Sequence, residues 1–258
     1  LGDVYKRQTL PHVDDQFLQD LSDAFRRECD AWQVPLVGGN LCRGELSLTL
    51  TVMGTVPEGS ALRRDGAQAG DDLYVSGSLG EAAGGLVCLN ANSENGETKV
   101  ERPEDAQLRE SVAQLIQRYV HPTPRLMVGQ RIRSIASAAI DISDGLIKDL
   151  GSICKKSGVG AEIIFENIPI TNDIDDLSYG DDYKLCYTCS PNKIDNKLIE
   201  KQIIEYYKSK DKSPPNCHGK LCLVGINVFD TVEPDYVSYF VGIYEEGLGG
   251  KINIVIIV

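Results

Sequence analysis

The stretch Ala138-Ala139-Ile140-Asp141-Ile142-Ser143-Asp144-Gly145-Leu146 constrains this chain more tightly than any other. Apolar residues run into Asp141 as in a short buried strand, and after Gly145 the apolar Leu146, Leu150, Ile153 and Cys154 fall at helical spacing. Two carboxylates and a hydroxyl therefore sit on a tight strand-to-helix turn. Asp144 or Ser143 is expected to cap the new helix, whose first N–H groups need acceptors, and Asp141 is not needed for capping. Mg²⁺ takes hard oxygen ligands on rigid backbone and keeps positions open for phosphate oxygens and water, which this acidic pair suits. A capped helix with one spare surface Asp fits the same spacing.

At 258 residues the chain can bury a sizeable core, and two modest domains are expected rather than one large one. A formal charge of −12 argues against nucleic acid as the main partner, since a phosphate backbone needs a basic face. It leaves nucleotides open, because carboxylates hold them through Mg²⁺. The chain shows no charged-then-apolar leader and no apolar run of membrane-spanning length, so no membrane partner and a cytoplasmic location are expected. The set Cys186-x-x-Cys189, Cys217, His218 and Cys222 has zinc-like content, but β-rich sequence around Cys186 sends alternate side chains to opposite faces. Small buried thiols are the better expectation.

In chain order, residues 1–8 show no pattern, do not open with Met and read as a non-native leader, so the chain is expected to be an N-terminally truncated fragment. Asp14 or Asp15 caps a predicted helix to about Ala31, striped by Phe17, Leu18, Leu21, Phe25 and Cys29. Alternating Leu46, Leu48, Leu50 and Val52 predict a half-buried strand. Pro57 to Asp71 reads as the boundary between residues 9–60 and a second domain over 70–230. That domain is predicted to hold strands at Asp72–Ser76, 161–165, around Tyr183 and at 221–224. Helices are predicted from Glu81 to about Leu89, from about Glu104 to Tyr119, from Pro124 to about Ala136, and from about Lys193 to Lys208. Every Arg lies at or before Arg133 while most Lys lie from Lys148 on, so residues 231–258 are set apart as a divergent tail ending in a strand. Alternating strands and helices with unequal connections give an α/β or α+β class.

No Gly-x-x-x-x-Gly-Lys-Ser/Thr occurs, which excludes a P-loop, and Gly77-x-x-Gly80-x-x-x-Gly84 has the wrong spacing for a dinucleotide fingerprint. The three His residues assemble no Ser/His/Asp set. Gly38-Gly39-Asn40 can bring backbone close to a phosphate or form a plain turn, and Arg63-Arg64 can clamp phosphate or stay solvated.

Together and in order, these blocks resemble the thiamine-monophosphate kinase family, within the superfamily of aminoimidazole ribonucleotide synthetase. The resemblance runs from about Thr9 to about Thr188. It covers Gly38-Gly39-Asn40-x-x-Arg43-Gly44, Gly59-x-Ala61-Leu62-x-Arg64-x-Gly66-Ala67, Pro122-x-Pro124-Arg125, Ile140-Asp141-Ile142-Ser143-Asp144-Gly145-Leu146 and Gly180-Asp181-Asp182-Tyr183. It implies the remainder of a synthetase-like N-terminal ATP-binding and dimerisation domain, followed by a mixed-sheet α/β C-terminal domain. It also implies phosphorylation of thiamine monophosphate to the diphosphate by ATP, through direct Mg²⁺-assisted transfer with no covalent nucleophile, in a homodimer. By resemblance Asp141 and Asp144 are Mg²⁺ ligands, Asn40 stands at a metal position, Gly39, Asn40, Arg64 and Ser143 touch ATP, and Asp181 contacts the thiamine substrate.

The chain also departs from the family. Asn40 replaces a metal carboxylate with a neutral amide, and Tyr179-Gly180-Asp181-Asp182-Tyr183-Lys184 stands where the family has Gly-Gly-Glu-Asp-Tyr-Glu. The N-terminal Gly-Asp-Asp metal motif and the C-terminal aromatic substrate segment are not found. The fragment is therefore expected to be impaired. Alternatives are another ATP enzyme of the superfamily, of the selenophosphate synthetase or hydrogenase-maturation type, or a non-catalytic nucleotide-binding remnant.

Overall fold

The computed structural model describes residues 4–10, 14–93, 106–171, 177–193, 222–225, 227–230, 240–246 and 251–257. The chain divides into two units, Leu1–Ala61 and Leu62–Val258.

The first unit holds β1 (Val4–Leu10), α1 (Asp15–Trp32), β2 (Leu36–Arg43) and β3 (Ser47–Val52). Asp14 caps α1 by accepting the N–H groups of Gln16 at 2.9 Å and Phe17 at 3.4 Å. Leu18, Leu21, Phe25 and Cys29 form its half-buried side, while Phe17 is exposed. β1 is the centre of a three-stranded sheet, parallel to β2 and antiparallel to β3. This corrects the reading of residues 1–8 as patternless: a ladder draws on backbone groups, and two neighbouring strands supply partners on both sides of β1. β3 forms where the alternation predicts it, but it is not half-buried. All six of its residues are exposed, Val52 by 70%, and Leu46 just before it by 66%. No described residue of this unit buries that apolar row.

The second unit contains β4 (Asp72–Val75), α2 (Glu81–Ser93), α3 (Ala106–Val120), α4 (Leu126–Ile132), β5 (Ala138–Ile142) and α5 (Leu146–Ser157). It continues with β6 (Val159–Ile164), β7 (Lys184–Cys189), β8 (Cys222–Gly225), β9 (Asn227–Asp230), β10 (Phe240–Glu246) and β11 (Lys251–Ile257). Its two sheets run β5-β7-β4-β8 and β10-β11-β6-β9, with antiparallel pairs throughout. Strand periodicity splits the first sheet between two cores. Leu73, Val75, Ile142 and Cys186 join Leu146, Leu150 and Ile153 of α5 and Ile163 of β6 on one face. Tyr74, Tyr187 and Cys189 join Val128 and Ile132 of α4 on the other, with the two tyrosine rings stacked at 5.4 Å. The sheet bearing Asp141 is thus covered on both sides, which gives the following turn a rigid base.

Three further expectations meet different outcomes. Pro124 lies two residues ahead of α4, which is shorter than predicted and has Arg125 at its N-cap position. Residues 191–193 form a single 3₁₀ turn, and the rest of the helix predicted to Lys208 lies outside the described residues, as does the segment 172–176. The C-terminal apolar run does form a strand, β11, which pairs with β6 and β10. Among the described residues no helix is long and apolar enough to cross a membrane.

Candidate functional site

β5 lies antiparallel to β7, with Asp141 opposite Leu185 and Ile142 opposite Lys184. The fully buried Ile142 anchors the strand end, and period-two alternation turns Asp141 outward to an exposed position. The chain then bends through Ser143 and Asp144 to Gly145, whose φ of +106° and close approach to the Ser178 carbonyl carbon (2.8 Å from an added Cβ) admit only glycine.

The cap of α5 differs from the expectation of Asp144 or Ser143. Gly145 holds the N-cap position with no side-chain bond. Asp149 instead reaches back from the first turn, its Oδ2 accepting the N–H groups of Ser143 at 3.0 Å and Asp144 at 2.9 Å. Asp149 is buried, so its carboxylate needs those donors. Burial pushes its pKa up, and the two N–H groups pull it back down. With Asp149 tied to the turn ahead of the helix, Asp144 stays half exposed and pairs through Oδ2 with Lys148 Nζ at 2.7 Å.

The second acidic block meets the first through main chain. Asp181 N–H donates to the Ser143 carbonyl at 3.0 Å and Tyr183 N–H to the Ile142 carbonyl at 2.8 Å. Asp181 and Tyr183 take left-handed φ values of 65° and 47°, and between them Asp182 turns inward. Its carboxylate accepts the N–H groups of Gly80 at 2.8 Å and Ala82 at 3.3 Å, at the start of α2. Asp181 remains exposed, with the Tyr183 hydroxyl donating to it at 3.4 Å. Lys184, where the family pattern has Glu, is buried and pairs with Glu81 at 3.0 Å.

Arg64 is brought to the same turn. Ala139 N–H donates to the Arg63 carbonyl at 2.9 Å, and the Ser157 hydroxyl donates to the Arg64 carbonyl at 2.9 Å. Arg63 is held by Asp65 at 2.5 Å, while Arg64 makes no ion pair among the described residues.

A cavity of about 600 Å³ opens here, and its lining includes Arg64, Asp141, Ser143, Asp144, Lys148 and Asp149. Four sequence-predicted residues therefore share it. Lys148 and Asp149 were missed, although Lys148 lies one helical turn beyond Asp144, the spacing of a helix-surface pair. A second cavity of about 410 Å³ is lined by Arg125, Leu126, Gly129, Gln130, Arg133, Asp141, Tyr183 and Leu185. Gly129, Asp141 and Leu185 line both cavities. Gly39 and Asn40 belong to the first unit, where Gly38-Gly39-Asn40 is extended within β2 and lines a shallow hollow.

Among the described residues no group of three or more His, Cys, Asp or Glu side chains is arranged to hold a metal ion. The site thus lacks a closed protein cage. Two carboxylates at an open cavity do fit Mg²⁺, whose remaining positions go to phosphate and water. Cys186 and Cys189 are buried in different cores, on opposite faces of β7, while Cys217 and His218 lie outside the described residues.

No protein-family model matches the chain. The thiamine-monophosphate kinase of Salmonella typhimurium is 42% identical over 191 residues, which are 70% of this chain and 55% of that protein. The thiamine-monophosphate kinase of Buchnera aphidicola subsp. Acyrthosiphon pisum is 34% identical over 236 residues, 86% of this chain and 67% of that protein. The chain spans little more than half the length of the first of these relatives. The crystal structure of thiamine-monophosphate kinase from Stenotrophomonas maltophilia superposes with a TM-score of 0.69 at 33% identity, over 89% of this chain and 70% of that one. AaThiL complexed with AMPPCP and TMP (TM-score 0.65, 24% identity, 89% and 68% covered) shares the fold. So does the hydrogenase maturation protein HypE of E. coli (0.58, 14%, 89% and 68%). The fold is the aminoimidazole ribonucleotide synthetase-like one that the resemblance implied.

Proposed function

The chain belongs to the thiamine-monophosphate kinase family, and on that premise we propose that the protein of which it is a part transfers the γ-phosphoryl group of ATP to thiamine monophosphate, forming thiamine diphosphate and ADP. The observation that carries this reading is the backbone lacing of the two acidic blocks, Asp181 N–H to Ser143 carbonyl at 3.0 Å, beside a cavity lined by Asp141, Asp144 and Arg64. AaThiL, solved with AMPPCP and TMP, is a neighbour in fold.

Asp141 and Asp144 are the residues that would hold Mg²⁺. When bound, the ion neutralises phosphate oxygens and aligns them for in-line displacement. Arg64, with no ion-pair partner among the described residues, offers its guanidinium to an ATP phosphate, the contact at which a planar fork is strongest. The Ser143 hydroxyl faces the same cavity and can donate to a phosphate oxygen. Lys148 holds the Asp144 carboxylate until it is engaged. Asp181, exposed on a strained loop next to Ser143, contacts the thiamine substrate. By the family resemblance, Gly39 and Asn40 touch ATP, with Asn40 at a metal position. The uncovered apolar row of β3 favours a homodimer built through that unit, since large apolar patches seldom stay in water. A cytoplasmic location and the absence of nucleic-acid or membrane partners belong to the same proposal.

Asn40 carries no charge where the family places a metal carboxylate, so this chain turns over slowly. Incubation with ATP, Mg²⁺ and thiamine monophosphate should yield thiamine diphosphate well below about 1 per second, and Asn40→Asp should raise the rate. Failure of both chains to form any thiamine diphosphate would favour the second reading that Asn40 suggests, a nucleotide-binding remnant.

A further inference from the structure

The loop that carries Asp181 is tied to two elements, and the ties alternate along the chain. Odd positions reach the acidic turn through main chain, Asp181 N–H to the Ser143 carbonyl at 3.0 Å and Tyr183 N–H to the Ile142 carbonyl at 2.8 Å. Even positions reach the first turn of α2 through side chains. Asp182, 6% exposed, gives one oxygen to each of two N–H groups: Oδ2 accepts Gly80 at 2.8 Å and Oδ1 accepts Ala82 at 3.3 Å. Lys184, also buried, meets Glu81 between them at 3.0 Å, and Arg118 of α3 approaches the same Glu81 oxygen at 3.7 Å. The Lys184 ammonium stands where the family pattern has Glu, so this ion pair is a departure of this chain. The anchor is itself fixed. Leu79, fully buried, donates its N–H to the Pro169 carbonyl at 2.7 Å, and its own carbonyl accepts the Thr171 N–H at 3.0 Å and hydroxyl at 2.9 Å.

We propose that Asp182 is a positioning residue, which fixes the exposed Asp181 carboxylate for the phosphoryl acceptor by pinning the loop to the first turn of α2, with the Lys184–Glu81 ion pair as a second pin. The backbone shows why a pin is needed. Asp181 and Tyr183 hold φ values of 65° and 47°. Left-handed backbone is uncommon for an aspartate and unfavourable for a tyrosine, and it persists only where the surroundings over-determine it. Bonds to the acidic turn alone would let the loop pivot about that edge. The Asp182 carboxylate, seated between the two left-handed residues, holds the loop from a second element. The acidic turn has a separate support in Asp149, which accepts the Ser143 and Asp144 N–H groups. Loss of Asp182 therefore loosens the loop and spares the turn, a separation that general loss of structure would not give. The identity of the acceptor rests on the kinase reading, while the pinning of the loop does not.

The test pairs amide hydrogen exchange, read by NMR, with isothermal titration, on the unaltered chain and on Asp182→Ala, Asp182→Asn and Lys184→Met. Asp182→Ala leaves two N–H groups without their acceptor, so exchange at the Asp181 and Tyr183 amides should quicken about tenfold or more. The Ser143 and Asp144 amides should keep their rates. Thiamine monophosphate, titrated in Mg²⁺ and AMPPCP, should weaken about tenfold, because only the pinned loop presents Asp181. AMPPCP with Mg²⁺ should bind as before. Asp182→Asn keeps one acceptor oxygen and Lys184→Met removes one pin, so both should fall between Asp182→Ala and the unaltered chain. Either carries the test if Asp182→Ala does not fold. Quickened loop exchange together with no binding of thiamine monophosphate by the unaltered chain would support the pinning and remove that acceptor from the proposed function. Unchanged exchange at Asp181 and Tyr183, quickened exchange with unaltered thiamine monophosphate affinity, or an equal loss of AMPPCP binding would overturn the positioning role.

Discussion

Gly180 packs so closely on Ser143 that a Cβ added to it would lie 2.0 Å from the Ser143 carbonyl oxygen. The neighbouring Asp181 N–H takes that same oxygen at 3.0 Å. Two acidic blocks far apart in sequence therefore form one surface through backbone alone.

Replacing Gly180 with Ala tests that closeness. The clash is with main chain, which cannot rotate away, so the cost should resemble overpacking, about 1–3 kcal/mol in a urea melt. Because the loop and the turn share the contact, AMPPCP and thiamine monophosphate affinities should fall together. A variant with unchanged stability and only one affinity altered would contradict the coupling.

Asp149 is the hidden support of the acidic turn. Asp149→Ala leaves the N–H groups of Ser143 and Asp144 without their acceptor, at a cost of about 1–3 kcal/mol. Asp149→Asn keeps one acceptor oxygen and should lose less. Denaturant titration of both variants beside the unaltered chain decides it: equal stability of all three would mean that these hydrogen bonds are immaterial.

Asp182 sets a pH dependence. Burial, opposed by the N–H groups of Gly80 and Ala82 and by Lys184, holds its carboxyl above the usual carboxylate range. A carboxyl that binds its proton more tightly folded than unfolded adds stability that is fully present below the unfolded value of about 4. That stability is lost as pH rises through the higher folded value. Stability curves at stepped pH should show this fall, and Asp182→Asn should flatten it. An unaltered slope in the variant would show that another group is responsible.

The cysteines should divide by burial. Burial pushes the Cys154 thiol up to about 12 and that of Cys189 up to about 11, and raises Cys186 as well. Cys29, Cys42 and Cys88 are only partly covered. Native labelling at neutral pH, mapped by mass spectrometry, should reach those three and spare Cys154, Cys186 and Cys189, because the thiolate is the reactive form. Rapid modification of Cys186 would place it outside the core.

How far the sequence revealed this structure depended on how local the deciding interaction was. The turn at Asp141–Gly145 was readable because strand and helix periodicities change within a few residues and only glycine suits position 145. The part Asp149 plays in the turn was not readable, since Ser143, Asp144 and Asp149 all offer polar side chains and only burial assigns the role. β1 escaped notice because ladder pairing leaves little mark on side chains, and exposure of β3 escaped it because alternation fixes a face without saying what covers it. Arg64 and Asp141 were each visible as residues, but their common cavity depends on the Ala139-to-Arg63 hydrogen bond, which joins segments remote in sequence.

The central claim is that carboxylates at a bend, working through a divalent cation, hold the nucleotide. Titration of AMPPCP into the chain with and without Mg²⁺, repeated on Asp141→Asn, tests it most directly. Binding should require Mg²⁺ and weaken by about tenfold or more in the variant, at least the loss seen when a metal site loses one supporting group. Equal affinity without the ion and with Asn at position 141 would contradict it.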